Sequence, residues 1–176
     1  LSPGSGLKLI TTSAALARLG ENFQFETKLY YEGEVTAQGI LQGNLYIVGG
    51  GDPTLGSTLV PGSLSLEDLL ASWASAVSGK GIKRIQGAVV ADDFRFERVP
   101  LPDRWYWMDM GNYYGASSSA LCLHDNLYKL FFSPNKNIGE QAVVLRLEPD
   151  IPNLSFIDFM MTGPEGSGDK GYIYNA

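Results

Sequence analysis

Residues 44–92 hold the stretch that most restricts the fold: NLYIV, then GGGDPTLGS, then SLSLEDLLASWASAVSG, then IKRIQGAVVAD. The first and last runs are short, apolar and rich in β-branched residues, which reads as strand. Between them, Leu66, Leu69, Leu70, Trp73 and Val77 recur at helical spacing, Ser65 stands at the N-cap, and Asp68 sits in the first turn. Gly79 or Gly81 is placed to stop the helix. Two strands joined through a helix read as a βαβ crossover, so the chain must contain a sheet with at least one parallel pair and a helix on its face.

The flanking sequence adds antiparallel partners. FQFETKLYY alternates, Glu32-Gly33 offers a turn, EVTAQGIL follows, and NLYIV is the third run, the pattern of a meander. Further strands are expected at ALCLHDN–LYKLFF, AVVLRLEP and LSFIDFMMT, with a last short run at GYIYN. The fold class is α+β with a mixed sheet or two. At 176 residues, the chain forms one large domain or two small ones and can bury roughly 70% of its unfolded surface without staples.

Ahead of the sheet, residues 5–19 read as a helix. Leu7, Ile10, Ala14 and Ala17 form one stripe, and Leu9, Ala15, Leu16 and Leu19 fill much of the remainder. Only Lys8 and Arg18 are charged, so this helix is expected to be buried nearly all round, with Gly20 ending it. Its first turn spells S-G-L-K, Ser5 to Lys8. The spacing alone is a weak signal, because Ser133-Pro134-Asn135-Lys136 and Ser167-Gly168-Asp169-Lys170 repeat it. Ser133 follows a strand beside a proline, where a hairpin turn is the simpler account. Ser167 lies in a glycine-rich turn with no helix to fix geometry. Ser5 alone opens a helix, where residues three apart share a face and free N–H groups and the helix dipole favour a developing anion. Two readings stand here: Ser5 as a nucleophile with Lys8 as its base, or Ser5 as an N-cap beside a solvated lysine. The first demands a neutral Lys8, which requires lowering its pKa from ~10.4 by about 3 units through burial and neighbours.

Composition excludes several classes. A net charge of −6 gives no basic face for nucleic acid. No apolar run approaches the length of a membrane span. One cysteine, Cys122, allows no internal disulfide, and one histidine, His124, argues against a zinc site; no metal or cofactor is implied. A Ser-His-Asp triad would have to use His124, whereas a serine–lysine pair needs no histidine. GGGDPTLGS lacks the Gly-Lys-Ser/Thr ending of a phosphate loop, so a turn in which Asp52 binds backbone N–H groups is the better reading. His124-Asp125-Asn126 reads as a strand-end turn. VPLPDRWYWMDMGNYYGASSSA is a long aromatic loop with no period, and loops of this length are usually functional. Trp105, Tyr106 and Trp107 precede Asp109, and Tyr113 and Tyr114 follow it. Aromatic walls around a carboxylate suit a ligand with an amine on an aliphatic stem; a satellite hydrophobic cluster is the alternative.

Taken in order, PGSGLKLITTSAAL, GNLYIVGGGDPTL, IQGAVVADDFRF, W-x-W-x-D and YGASSSAL resemble the class C penicillin-binding proteins, D-alanyl-D-alanine carboxypeptidases and endopeptidases of the bacterial envelope. The likeness runs from Pro3 to about Tyr174, with Gly4 where the family has alanine. It implies a serine peptidase acting on peptidoglycan stem peptides through an acyl-enzyme, sensitive to β-lactam antibiotics, in the periplasm or cell envelope. Ser5 would be the nucleophile, Lys8 its proton acceptor, and the Ser5 N–H half of the oxyanion hole. Asp109 would hold the amino end of a diaminopimelate side chain, and Tyr114 would line that pocket. Residues 1–20 would be the N-terminal part of the penicillin-binding domain, and residues 21–176 an incomplete inserted region of mixed α/β structure with largely antiparallel sheets. The family also needs S-x-N and K-T-G. Ser133-Pro134-Asn135 and Met161-Thr162-Gly163 imitate them, but both fall within the inserted region and Met161 carries no charge. The chain is therefore expected to be the N-terminal portion of a longer enzyme whose C-terminal remainder supplies both motifs. The competing functions are another Ser-Lys hydrolase, such as a β-lactamase or esterase, and a non-catalytic peptidoglycan-binding protein on the same scaffold.

Overall fold

The computed structural model describes residues 4–97, 99, 101, 103, 105–168 and 170–173. Pro3, Asp169 and Tyr174, on which parts of the sequence reading fell, lie outside the described residues, as does the end of the GYIYN run.

The crossover read from the sequence organises the first sheet. Strand β1 (Lys28–Val35) pairs antiparallel with β2 (Ile40–Val48). Helix α2 (Leu66–Gly79) then carries the chain to β3 (Arg84–Ile85) and β4 (Val89–Asp92), both parallel to β2. Ser65 caps α2 as its sequence implies, its hydroxyl accepting the Asp68 N–H at 3.0 Å. The helix ends at Gly79, and Gly81, at φ +80°, returns its N–H to Ser78 O at 2.8 Å. IKRIQGAVVAD is thus two strands rather than one. The break falls at Gly87, where a Cβ would overlap Gly43 O.

The expected turn at Glu32-Gly33 does not exist. Both residues lie inside β1, opposite Asn44 and Gly43, and the hairpin instead turns at residues 36–39, where Gly39 N–H bonds Thr36 O at 2.8 Å. Three runs are therefore two long strands. The glycines serve close approach: a Cβ on Gly43 would overlap Glu32 O, and one on Gly33 would overlap Gln42 O.

Leu41, fully buried, and Leu45 share one face of β2, and with Leu69 of the helix, Leu55, Ile82, Ala120 and Ala142 they are the buried apolar residues among those described. The predicted α2 stripe is only partly used. Leu69 is buried, while Leu70 remains 45% exposed along a cavity of about 360 Å³ that Trp73 and Ile47 also line.

Helix α1 (Gly6–Leu19) forms where expected, and Gly20 (φ +81°) ends it with its N–H on Leu16 O. Its expected burial is not found. It has no buried residue, and Leu9 and Ile10 are 73% and 66% exposed. The physical reason is that no described element packs on this largely apolar helix.

Downstream, β5 (Lys129–Ser133) and β6 (Val143–Glu148) form a second, antiparallel sheet. Across it, the Arg146 guanidinium lies 3.6 Å from the centre of the Phe131 ring. ALCLHDN is not a strand: Leu121 makes a single bridge to Asp52, and His124–Asn126 turns. LSFIDFMMT is not continuous strand either, touching the second sheet through the Gln141–Met161 bridge and the Ala142 N–H to Met160 O bond. Gly171–Ile173 form no strand. The architecture is α+β with one mixed and one antiparallel sheet. No described helix is long and apolar enough to cross a membrane.

Two substitutions separate core from cap. Leu41→Ala should destabilise the protein by about 2–5 kcal/mol, since a fully buried leucine leaves a cavity. Ser65→Ala should cost only about 1 kcal/mol, the loss of one N-cap bond. Denaturant melts of the two variants should rank in that order.

Candidate functional site

The three S-x-x-K sequences have different local structures. Ser133 closes β5, and the turn after it is tied across the second sheet by the Asn135 N–H to Thr162 Oγ1 bond of 2.8 Å. The two imitation motifs, Ser133-Pro134-Asn135 and Met161-Thr162-Gly163, are thus joined as a structural tie, with Thr162 buried. Ser167 lies in a turn, its N–H on Pro164 O at 3.1 Å. Only Ser5 precedes a helix. Its backbone is already helical (φ −66°, ψ −11°), and its side chain makes no capping hydrogen bond. A serine that capped α1 would have extended backbone and would accept an N–H of the first turn. Ser5 and Lys8 are joined through the backbone, Lys8 N–H to Ser5 O at 3.1 Å, and by no side-chain hydrogen bond among the described residues. Lys8 is exposed, contrary to the burial expected for it, because α1 as a whole is uncovered.

The aromatic loop has local order that its lack of period concealed. Trp107–Asp109 and Tyr113–Gly115 are single 3₁₀ turns. Asp109 O accepts the Asn112 N–H at 3.1 Å, and Asn112 in turn accepts the Gly115 N–H at 2.8 Å. Gly115 is buried so tightly against this turn that a Cβ would overlap Asp109 O. These bonds bring Tyr114 back over Asp109, and its hydroxyl donates to Asp109 Oδ1 at 3.2 Å. Local desolvation, with the bonded carboxylate adding to it, raises the Tyr114 pKa above its ordinary value. The flanking rings are not a packed satellite core. Tyr106 and Tyr113 are 77% and 74% exposed, and Tyr113 meets Tyr114 only edge to face.

The structure therefore joins Asp109 with Tyr114 and, through the helix turn, Ser5 with Lys8. No hydrogen bond or ion pair among the described residues links one pair to the other. Asp52 is the turn residue its sequence suggested, Oδ1 accepting both N–H and Oγ1–H of Thr54 at 2.8 and 2.7 Å. His124 forms no triad among the described residues, where its Nδ1 is buried with no hydrogen-bond partner. Nor do three His, Cys, Asp or Glu side chains converge as a metal site among them.

One constellation escaped the sequence reading. His124, Asp125 and Asn126 all have left-handed backbone, at φ +51°, +59° and +53°. Each such residue costs about 1–2 kcal/mol, so three in succession require a restraint. Asp125 supplies it, accepting the hydroxyl of buried Ser57 on Oδ1 and the Thr58 N–H on Oδ2 at 3.0 Å. Ser57 Oγ accepts the Leu59 and Val60 N–H groups as well, so its hydrogen-bonding capacity is spent on structure. The signal was available: His, Asp and Asn are the non-glycine residues that favour this region.

Known proteins align with this geometry. The chain is 39% identical over 121 residues to the D-alanyl-D-alanine carboxypeptidase of Actinomadura sp. (strain R39), covering 69% of this chain and 20% of that protein. The crystal structure of penicillin binding protein 4 (dacB) from Haemophilus influenzae superposes with a TM-score of 0.69 at 31% identity, over 82% of this chain and 29% of that one. The same protein complexed with a novel beta-lactam gives a TM-score of 0.56 at 29% identity, over 81% of this chain and 26% of that one. The chain thus spans less than a third of the length of these relatives. Residues 1–167 match the D-Ala-D-Ala carboxypeptidase 3 (S13) family, and to that family the chain belongs.

Proposed function

We propose that this chain is the N-terminal portion of a periplasmic or envelope serine peptidase that cleaves D-alanyl-D-alanine termini or cross-links of peptidoglycan. In this reading residues 1–20 belong to the catalytic domain and residues 21–176 to the inserted region. The remainder of the enzyme covers α1 and brings the S-x-N and K-T-G motifs. The observation that carries the reading is Ser5 itself: a serine at the start of a helix, one turn before a lysine, whose hydroxyl is not used as a cap. Membership of the family supports it, as does the exposed apolar surface of α1, which a catalytic core would bury.

The chemistry follows from those positions. Ser5 Oγ attacks the carbonyl between the last two D-alanines as its proton passes to neutral Lys8 Nζ. The Ser5 N–H, like the other first N–H groups of the helix, has no intrahelical acceptor and faces the developing oxyanion. Lys8 then returns the proton to the departing amine, leaving an acyl-enzyme that water hydrolyses. Neutral Lys8 requires desolvation, which the covering of α1 supplies. A β-lactam enters by the same attack, its opened ring remaining attached to Ser5. The Asp109–Tyr114 pair receives the side-chain ammonium of diaminopimelate in the stem peptide, with Tyr114 holding one carboxylate oxygen in place and leaving the other for the ligand.

Fluorescent penicillin should label Ser5 in the complete enzyme and leave this segment alone unlabelled, as peptide mass spectrometry will show. Label on Ser133 or Ser167 would overturn the assignment. Lys8→Ala should abolish acylation while circular dichroism shows an intact fold; equal acylation would make Lys8 structural.

Asp109→Asn should lower kcat/KM for diaminopimelate-containing stem peptides by roughly 10- to 100-fold, the worth of a hydrogen bond to a charged group. Benzylpenicillin, which has no such amine, should acylate at a nearly unchanged rate. A parallel fall in both rates would assign Asp109 to the fold, and no change in either would remove it from recognition.

A further inference from the structure

We infer that Asn126 is a positioning residue for Asp109, tying the exit of the aromatic loop to the left-handed corner at residues 124–126. The inference rests on the reading of Asp109 as the ammonium receptor and adds what fixes its place. Asn126 Nδ2 donates to Ser117 O at 2.9 Å and to Ser117 Oγ at 3.1 Å. Ser117 stands two residues beyond Gly115, whose backbone lies so close against Asp109 O that a Cβ there would overlap it. From Asn126 the connection therefore runs through Ser117 and Gly115 to Asp109, and Tyr114, bonded to the Asp109 carboxylate, sits within it.

The other end of this connection is anchored. Asp125 is bound to Ser57 and Thr58, the His124 N–H donates to Leu55 O at 2.8 Å, and the Asn126 N–H donates to Leu123 O at 2.9 Å. Leu55 and Ser57 are buried in the loop that leaves the first sheet. Asn126 is itself exposed, so its side chain fills no core space. Its amide is the element that passes the position of an anchored corner to a loop whose aromatic rings are largely exposed.

The backbone offers an unusually direct test. At φ +53° glycine is favoured, so Asn126→Gly deletes both bonds to Ser117 without straining the chain. Asn126→Asp keeps the size and the left-handed preference but cannot donate to Ser117 O. In the complete enzyme, kcat/KM is measured for a stem peptide with a free side-chain ammonium and for the same peptide acetylated there. The wild-type enzyme should prefer the free amine. Both variants should reduce that preference by roughly tenfold, chiefly through KM, with Asn126→Gly melting no lower than wild type. Ser117→Ala, which spares the carbonyl acceptor, should lose less. An unchanged preference in Asn126→Gly overturns the inference and leaves the Asp109 reading standing. Equal losses on both peptides overturn it as well, assigning Asn126 to general stability. A wild-type enzyme without preference overturns the Asp109 reading and this inference with it.

Discussion

Strand β2 is the constraint on which the rest depends. It pairs with β1 on one edge and with β3 and β4 on the other, and its inward leucines are the centre of the core. At its end the chain passes through three glycines that meet other backbone directly. Gly49 N–H bonds Asp92 O at 2.9 Å, and Gly51 N–H bonds Ala120 O at 2.8 Å. A Cβ on Gly49 would overlap Ala120 O. The segment that follows the aromatic loop is therefore seated on the end of the most buried strand, in contact too close for any side chain. These backbone bonds fix Asp92, ahead of the aromatic loop, and Ala120, after it, against the end of β2.

The parts of this arrangement that were legible in the sequence are those decided by local chemistry. Ser65 had to cap, because a serine three residues before Asp68 satisfies a free N–H at the start of an apolar stripe. Asp52 had to turn. Gly20 and Gly81 had to accept left-handed backbone at helix ends. Illegible were the features that depend on what lies across space. Glu32-Gly33 has the composition of a turn, and nothing local reveals that Gly43 will stand opposite and need the room. The burial expected of α1 is not found, because an apolar sequence states a need for cover without saying which residues provide it, and no described element does.

The candidate site divides along the same line. Ser5 and Lys8 are three residues apart on one helix, so their relation could be read from spacing, and Asp109 and Tyr114 lie within one loop. The corner at residues 124–126 could not be found that way, because its restraint comes from Ser57 and Thr58, more than sixty positions earlier. Its residue types hinted at left-handed backbone without naming a partner.

A carboxylate that is only half-buried, as Asp109 is, is by itself a poor discriminator. In water an ion pair of this kind contributes about 0–1 kcal/mol, too little to select one peptide from another. Asp109 can do more only if the ligand displaces water from it as the aromatic side chains close around the aliphatic stem, since desolvation strengthens the remaining charge-assisted bond. That gain is sensitive to position: the same carboxylate displaced from the rings keeps its hydration and loses the advantage. The Tyr114 hydroxyl, donating to Oδ1, leaves the other Asp109 oxygen available. In the inferred arrangement, the Gly115 contact and the Asn126 tie to Ser117 set where that oxygen stands. In the proposed reading, selectivity for an ammonium-bearing stem peptide belongs to the loop and its supports together, and the left-handed corner at His124–Asn126 is the cost of holding that loop in one place.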